Sequence, residues 1–396
     1  MTVENKHPRI LIFNNYYSPG FRAGGPVRTL ANMVDRLGGE FDFHIVTLDR
    51  DVGDTTPYPS VEVNTWTQHG KARVMYVPAA YLSLHLIAGI AEERAADVIY
   101  LNSFFDPIFT QRVLWARRFG LIAGAPIVLA PRGEFSEGAL GLKRRKKQLY
   151  MRASRVIGLY QRLTWQASSE LERSDILRIL PYVRPSEIRE AMDIAPVHDD
   201  KPFDRHVRRS DLPLRVCFLS RLSPKKNIDF ALRALSLVKA QATFTVYGPI
   251  GHPKYWSSCE ALAAALPSNL TVVYAGELHP NEVKGRLAQH DLFFFPTLGE
   301  NYGHVIHEAL GAGLPVLISD QTPWGDVVER GVGWVLPLDS EAEFARKIDD
   351  FAICEDFQVE AIKEAARKYA AEISAKRDVI EANRQLFTSV IDGAKG

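Results

Sequence analysis

The residues best placed to do chemistry are two acids and two cations in the second half of the chain. Glu300 and Glu308 stand with seven residues between them in the run GENYGHVIHEALGAGLPVL, residues 299–317. Arg221 and Lys226 stand in an earlier loop, SRLSPKKN, residues 220–227. Glu300 falls in a loop and Glu308 about one and a half turns into the helix that follows, on the 3.6-residue period. Amides of Asn301, Tyr302, Gly303 and His304 then sit at a helix N-terminus, whose partial positive charge suits an anion such as phosphate. Taken singly, each acid also fits as a helix-start residue favoured by the dipole, and loop cations are usually solvated.

The elements that hold these residues follow from the flanking sequence. Residues 292–296, Leu-Phe-Phe-Phe-Pro, read as a buried strand stopped by proline. Gly311 and Gly313 end the helix, and residues 315–318 read as the next strand. The unit is strand, loop, helix, strand, a parallel crossover with its loop at the edge where open α/β sheets bind ligands. Residues 214–219 form a similar strand feeding the Arg221–Lys226 loop, with a helix over 228–239. Strands are also expected at 244–248 and 270–274 and helices at 255–266, 280–289, 341–350 and 355–369. The loop 319–325 either edges a pocket or is a packed turn.

The spacing Glu, seven residues, Glu-Ala-Leu, then Gly-x-Gly-x-Pro-Val resembles the signature of glycosyltransferase family 4, retaining enzymes of the GT-B fold. The resemblance implies two Rossmann-like α/β domains with parallel sheets facing across a cleft. It implies that Glu300 touches the donor sugar, Glu308 hydrogen-bonds the ribose, and Arg221 and Lys226 grip the donor diphosphate. Here Ser220 and Asn227 replace the family's usual glycines. Donor contacts are further implied at Asn301, Tyr302, Gly303, His304 and Gly248, with Gly276 and Leu278 bordering the base. The implied reaction moves a sugar from a nucleotide-diphosphate donor, of UDP or GDP type, to a hydroxyl of a saccharide or polyprenyl-linked saccharide. No cofactor and no essential metal are expected. A related epimerase or phosphorylase and a non-catalytic sugar-nucleotide-binding protein are the alternatives.

The first half has the same rhythm. A strand at 9–13 leads to NNYYSPGFRAGG, residues 14–25, and a helix over 26–37. Gly24 and Gly25 either serve turn geometry or, as the resemblance implies, meet donor phosphate or acceptor. Further strands are expected at 43–47, 74–77, 98–101 and 127–130, with a helix at 81–94. After the strand at 98–101 the family often has histidine; here Asn102 and Ser103 offer hydrogen bonds but no acid–base chemistry. Arg132 and Glu134 follow the strand at 127–130, as a surface ion pair or with Arg132 as a planar fork for phosphate or sugar hydroxyls. Ser169 fits a helix N-cap with Glu172 completing a capping box.

Length, 396 residues, suits two domains, expected at 1–200 and 213–372, with a linker over 201–212 and a final helix, 373–396, returning to the first domain. The formal net charge of +1 argues against nucleic acid. Three scattered cysteines give no disulfide framework, which fits the cytoplasm. No run approaches the roughly 18 apolar residues of a membrane span. Residues 138–169 carry no acid and eight cations, Lys143 to Lys147, Arg152, Arg155 and Arg162. Leu149, Ala153, Val156, Ile157 and Tyr160 fall at helical spacing among them. The segment 143–162 is either a core helix with a solvated basic face or a peripheral contact with an anionic membrane.

Overall fold

The computed structural model describes residues 7–122, 124–141, 144–197 and 204–395. The chain divides into two compact units, residues 1–194 with 376–396, and residues 195–375. Each is a sheet with helices packed on it.

In the first unit the order is β1 (Arg9–Phe13), α1 (Gly25–Leu37), β2 (Asp42–Leu48), β3 (Trp66–His69), β4 (Ala72–Val77), α2 (Leu84–Arg94) and β5 (Val98–Asn102). Then come α3 (Gln111–Arg118), β6 (Ile127–Ala130), α4 (Glu137–Gly141), α5 (Arg144–Ile157), β7 (Thr164–Ala167), α6 (Glu170–Ile179) and β8 (Ile188–Glu190). The sheet runs β3-β4-β2-β1-β5-β6-β7-β8. Only β3 is antiparallel to its neighbour. β1 and β5 are buried throughout except at Arg9, as expected of strands covered on both faces.

The second unit contains β9 (Leu214–Leu219), α7 (Ile228–Leu235), β10 (Ala242–Tyr247), α8 (Pro253–Ala264), β11 (Leu270–Gly276), α9 (Pro280–Leu287) and β12 (Leu292–Phe295). It continues with α10 (His304–Gly311), β13 (Val316–Ser319), β14 (Gly333–Leu336), α11 (Glu341–Ala352) and α12 (Asp356–Ser374). Its sheet is parallel, in the order β11-β10-β9-β12-β13-β14. The last helix, α13 (Arg377–Lys395), packs in the first unit. Phe387 there meets Phe41, Phe43 and Tyr100 edge-on, and Asn383 donates to the carbonyl of Met192 at 2.7 Å.

In both sheets the strand order reverses at one strand, β1 in the first unit and β9 in the second. Such a switch point opens a crevice at the carboxyl ends of its strands. The loops that leave β9 and β12 carry Arg221, Lys226 and Glu300, so the topology alone gathers them.

Several expectations need correction. The helix expected over 81–94 starts at Leu84, because Ser83 caps it by accepting the Leu86 N–H at 3.2 Å. The described part of the expected linker is packed against the second unit. His206 N–H donates to the Ala288 carbonyl at 3.0 Å, and buried Arg208 donates to the carbonyls of Leu212 and Ala352. Residues 201–203 lie outside the described residues.

The basic segment is not one helix. α5 ends at Ile157, and Tyr160 is buried beyond it, its ring stacked on Phe104 at 4.1 Å. The face of α5 turned inward is Lys147, Tyr150, Met151 and Ser154, at helical spacing. The apolar stripe read as core is outside: Leu149 is 71 % exposed, Val156 88 % and Ile157 41 %. Hydropathy favoured the wrong stripe, since the packed face contains a lysine, a tyrosine and a serine. Lys143 lies outside the described residues.

Candidate active site

The site in the second unit is built by two loops at neighbouring strand ends. After β9 the chain passes Arg221 and a short helical turn over Pro224–Lys226, then enters α7 at Asn227. Asn227 has φ +60°, the left-handed region, which asparagine tolerates better than most residues. Its side-chain amide also donates to the Pro296 carbonyl at 2.9 Å. Asparagine thus serves where the family pattern has glycine and adds a tie to the β12 loop.

That tie is one of several. The Leu298 N–H donates to the Lys225 carbonyl at 2.9 Å, and the Glu300 N–H to the Gln321 carbonyl at 2.9 Å. Thr297, fully buried, has its hydroxyl 3.2 Å from the Lys225 carbonyl and 3.4 Å from Glu300 Oε1. Ser319 Oγ donates to the Thr297 carbonyl at 2.6 Å. Sequence reasoning passed over Thr297; its place directly after the proline that ends β12 was the available signal.

These ties set Lys226 against Glu300. The ammonium donates to the carboxylate, and the two side chains are 16 % and 14 % exposed. Lys226 also lies 5.5 Å from the Phe295 ring centroid. An ammonium carries three N–H donors, so holding Glu300 does not exhaust it. Arg221 is exposed at the same edge, its stem passing Gly251, where a Cβ would fall 2.7 Å from Arg221 Cγ. Gly248, φ +128°, lies under Ser220; a side chain there would place Cβ 2.0 Å from the Ser220 carbonyl oxygen. Gly248 N–H donates to the Gly276 carbonyl at 2.8 Å, which joins the β10 and β11 ends and brings half-buried Leu278 to the same edge.

The Asn301–His304 segment turns into α10 through Gly303, φ +81°. First-turn amides of a helix lack intrahelical acceptors and point outward from its N-terminus. Tyr302 and His304 are themselves buried, their rings 4.7 Å apart. Trp324, 4 % exposed, donates its indole N–H to the Tyr302 carbonyl and packs on Tyr302 and Tyr369. The 319–325 loop is therefore a packed turn that supports the α10 entrance. Glu308 is half-buried in the second turn of α10.

The carboxyl edge of the first unit looks similar in sequence and differs in structure. Arg132, with φ +57°, turns its side chain inward until it is 10 % exposed. It pairs with Asp193 and donates to Asn102 Oδ1 at 2.9 Å and to the Tyr100 hydroxyl at 2.5 Å. Thr29 donates to the other Asp193 oxygen at 2.8 Å. This guanidinium braces β5, β6, α1 and the segment after β8, which corrects its assignment as a ligand-facing fork. Glu134 does not pair with it. Its carboxylate accepts from Ser103 Oγ at 2.7 Å and from the amides of Phe104 and Phe105 at 2.6 and 3.1 Å. Burial nevertheless pushes this carboxyl above its ordinary range, against those hydrogen bonds and the nearby Lys147 charge. Ser169 does cap α6, but Glu172 does not close the box. It accepts instead from the Gly133 amide at 2.6 Å and from the Ser168 amide and hydroxyl. Gly24 and Gly25 sit at the entrance of α1, in a loop held by Asp51, which accepts the Phe21 and Arg22 amides at 2.8 and 3.1 Å.

Known proteins share this architecture. Sucrose-phosphate synthase from Thermosynechococcus elongatus superposes with a TM-score of 0.71 at 14 % identity, over 98 % of this chain and all of that one. Anabaena HepE, solved in complex with UDP and glucose, gives 0.67 at 18 % identity, over 97 % and 99 %. The putative colanic acid biosynthesis glycosyltransferase WcaL of Salmonella typhimurium is 24 % identical over 46 % of each chain. The amylovoran biosynthesis glycosyltransferase AmsK of Erwinia amylovora is 28 % identical over 32 % of each. The chain thus spans less than half the length of the curated relatives it matches. The fold is GT-B, and residues 200–369, in the second unit, match the family "Glycosyl transferases group 1".

Proposed function

We propose that the protein transfers a sugar from a nucleotide-diphosphate sugar to a hydroxyl of a saccharide acceptor, with retention at the anomeric carbon. The observation that carries this is the contact of Lys226 with Glu300, at the switch-point edge that also bears Arg221 and the α10 N-terminus. The demanding step is departure of the nucleoside diphosphate. Arg221, Lys226 and the first amides of α10 meet the negative charge that grows on it. Glu300, held beside Lys226, touches the donor sugar, and Glu308 accepts from the ribose hydroxyls. The leaving phosphate oxygen takes the acceptor's proton on the same face, so no separate protein base is assigned. The diphosphate charge is met by side chains and amides, so activity persists when divalent cations are chelated, and no cofactor takes part.

The relatives supply the setting. HepE is solved with UDP-glucose, and WcaL and AmsK carry names from colanic acid and amylovoran synthesis. A UDP or GDP sugar donor and a lipid-linked or free saccharide acceptor in surface polysaccharide synthesis follow as our reading. No described helix is long and apolar enough to cross a membrane. Exposed Leu149, Val156 and Ile157 among the cations of α5 support peripheral contact with the inner face of an anionic membrane.

A hydrolysis screen over UDP-, GDP- and ADP-sugars, with and without a chelator, tests the activity. One donor should be cleaved, with chelation leaving the rate unchanged; cleavage of none would defeat the reading. The glutamates separate by assay: Glu308→Ala weakens nucleotide affinity, and Glu300→Ala lowers turnover more than affinity.

A further inference from the structure

The loop that leaves β13 grips the segment between β12 and α10 at two points. The Gln321 carbonyl accepts the Glu300 N–H at 2.9 Å, and the Trp324 indole N–H donates to the Tyr302 carbonyl. Residues 300–302 are thus pinned at both ends to one loop. An indole N–H is a donor only, and burial demands a partner for it. Trp324 is 4 % exposed, and this carbonyl is the partner it has. Its ring is fixed as well, edge-on to Tyr302 at 5.5 Å and to Tyr369 at 6.2 Å. The Tyr369 hydroxyl in turn donates to Asp326 at 2.6 Å, two residues beyond Trp324, which ties α12 to the same loop.

The Tyr302–Gly303 peptide is trans, so its C=O and N–H lie in one rigid plane and point in opposite directions. An indole that holds the Tyr302 carbonyl therefore also aims the Gly303 N–H away from itself. Among the described residues, no group accepts from that N–H. Gly303 has φ +81°, and a Cβ there would lie 3.0 Å from Ile306 Cδ1 and 3.4 Å from Trp324 Nε1, so the indole rests against bare glycine backbone. We propose that Trp324 is a positioning residue: through the Tyr302 carbonyl it fixes the peptide plane that presents the Gly303 amide to the phosphates of a nucleoside diphosphate. This role rests on the donor reading given above and adds to it a residue that touches no substrate. Without the indole N–H the plane is free to rotate, and the amide loses its aim before any ligand arrives.

The test is titration of the full chain with UDP and GDP, with the matching nucleosides, and with inorganic pyrophosphate. Wild type is compared with Trp324→Phe and with a chain carrying 3-benzothienylalanine at position 324, in which sulfur replaces the indole N–H. The isostere fills the same volume, so it reports even where Trp324→Phe unsettles the core. The nucleoside diphosphate that wild type binds should bind both variants about tenfold more weakly, roughly the value of one hydrogen bond to a charged group. Pyrophosphate should weaken alike, and the nucleoside should bind all three chains equally. A merely structural tryptophan would weaken nucleoside and diphosphate together, and that result would overturn the proposal. Diphosphate affinity unchanged in the isostere would overturn it too, as would a wild type that binds neither nucleoside diphosphate nor pyrophosphate. A donor screen without activity, with pyrophosphate bound by wild type and weakened in the isostere, would break the transferase reading and leave the Trp324 role standing.

Discussion

The carboxyl edges of the two sheets carry charges at equivalent places and use them oppositely. In the first unit, Arg132, Asp193, Glu134 and Glu172 all turn inward, and their partners are amides, hydroxyls and one another. In the second, Arg221 is exposed and Lys226 and Glu300 meet only part-buried at the loop surface. The second unit does have an inward network, but at the opposite end of its sheet. There Asp291, ahead of β12, is fully buried and accepts from the Arg215 amide at 3.0 Å and from Lys363 at 3.3 Å. Beside it His290 meets the Tyr247 hydroxyl at 3.1 Å. A charged residue at a strand end is therefore not by itself a ligand contact. What separates the two cases is whether the neighbouring elements supply its partners.

The comparison breaks most visibly at Arg132. Arg132→Ala leaves Asp193 buried without its cation, and such a loss costs about 3–5 kcal/mol of stability. Denaturant unfolding should show it, while nucleotide affinity of the folded fraction stays unchanged. A variant of wild-type stability would mean the pair is not structural.

Next in size are the working cations. Arg221→Ala or Lys226→Ala should cost about 2–4 kcal/mol of transition-state stabilisation, seen in steady-state rates, with unfolding midpoints little moved for exposed Arg221. Wild-type turnover in either folded variant contradicts the role.

A smaller effect belongs to the inward network of the second unit. Burial lowers the His290 pKa to about 4, with Asp291 opposing the shift. The unfolded chain then binds a proton that the folded one refuses, so stability is lost as pH falls from about 6.5 toward 4. The loss is on the order of 2–3 kcal/mol. His290→Gln should flatten this part of the pH–stability curve. A curve of unchanged slope would show that His290 does not set it.

Most of the fold was legible because buried parallel strands are short apolar runs ended by glycine or proline, as in β1, β9, β12 and β13. β3, β8 and β14 escaped notice. β3 and β8 lack such runs, with Gln68 and His69 in one and Arg189 and Glu190 in the other. β14, Gly-Trp-Val-Leu, is only partly covered. The Lys226 and Glu300 loops were recognisable because the switch-point topology dictates where residues after β9 and β12 go. The fate of Arg132 was not, since its partner Asp193 is 61 residues away and nothing local announces the pairing. For α5 the period was right and the face wrong, because Lys147, Tyr150 and Ser154 pack through stems and hydrogen bonds that hydropathy does not count.

Isothermal titration of UDP and GDP tests the central contrast most directly, using wild type, Arg221→Ala and the isosterically milder Arg132→Gln. One nucleotide should bind wild type and the Arg132 variant alike and bind Arg221→Ala at least tenfold more weakly, the loss expected for a charge-assisted contact worth about 1.5 kcal/mol or more. Equal affinity for wild type and Arg221→Ala, or a loss confined to Arg132→Gln, would place the anion-binding edge in the wrong unit and contradict the account.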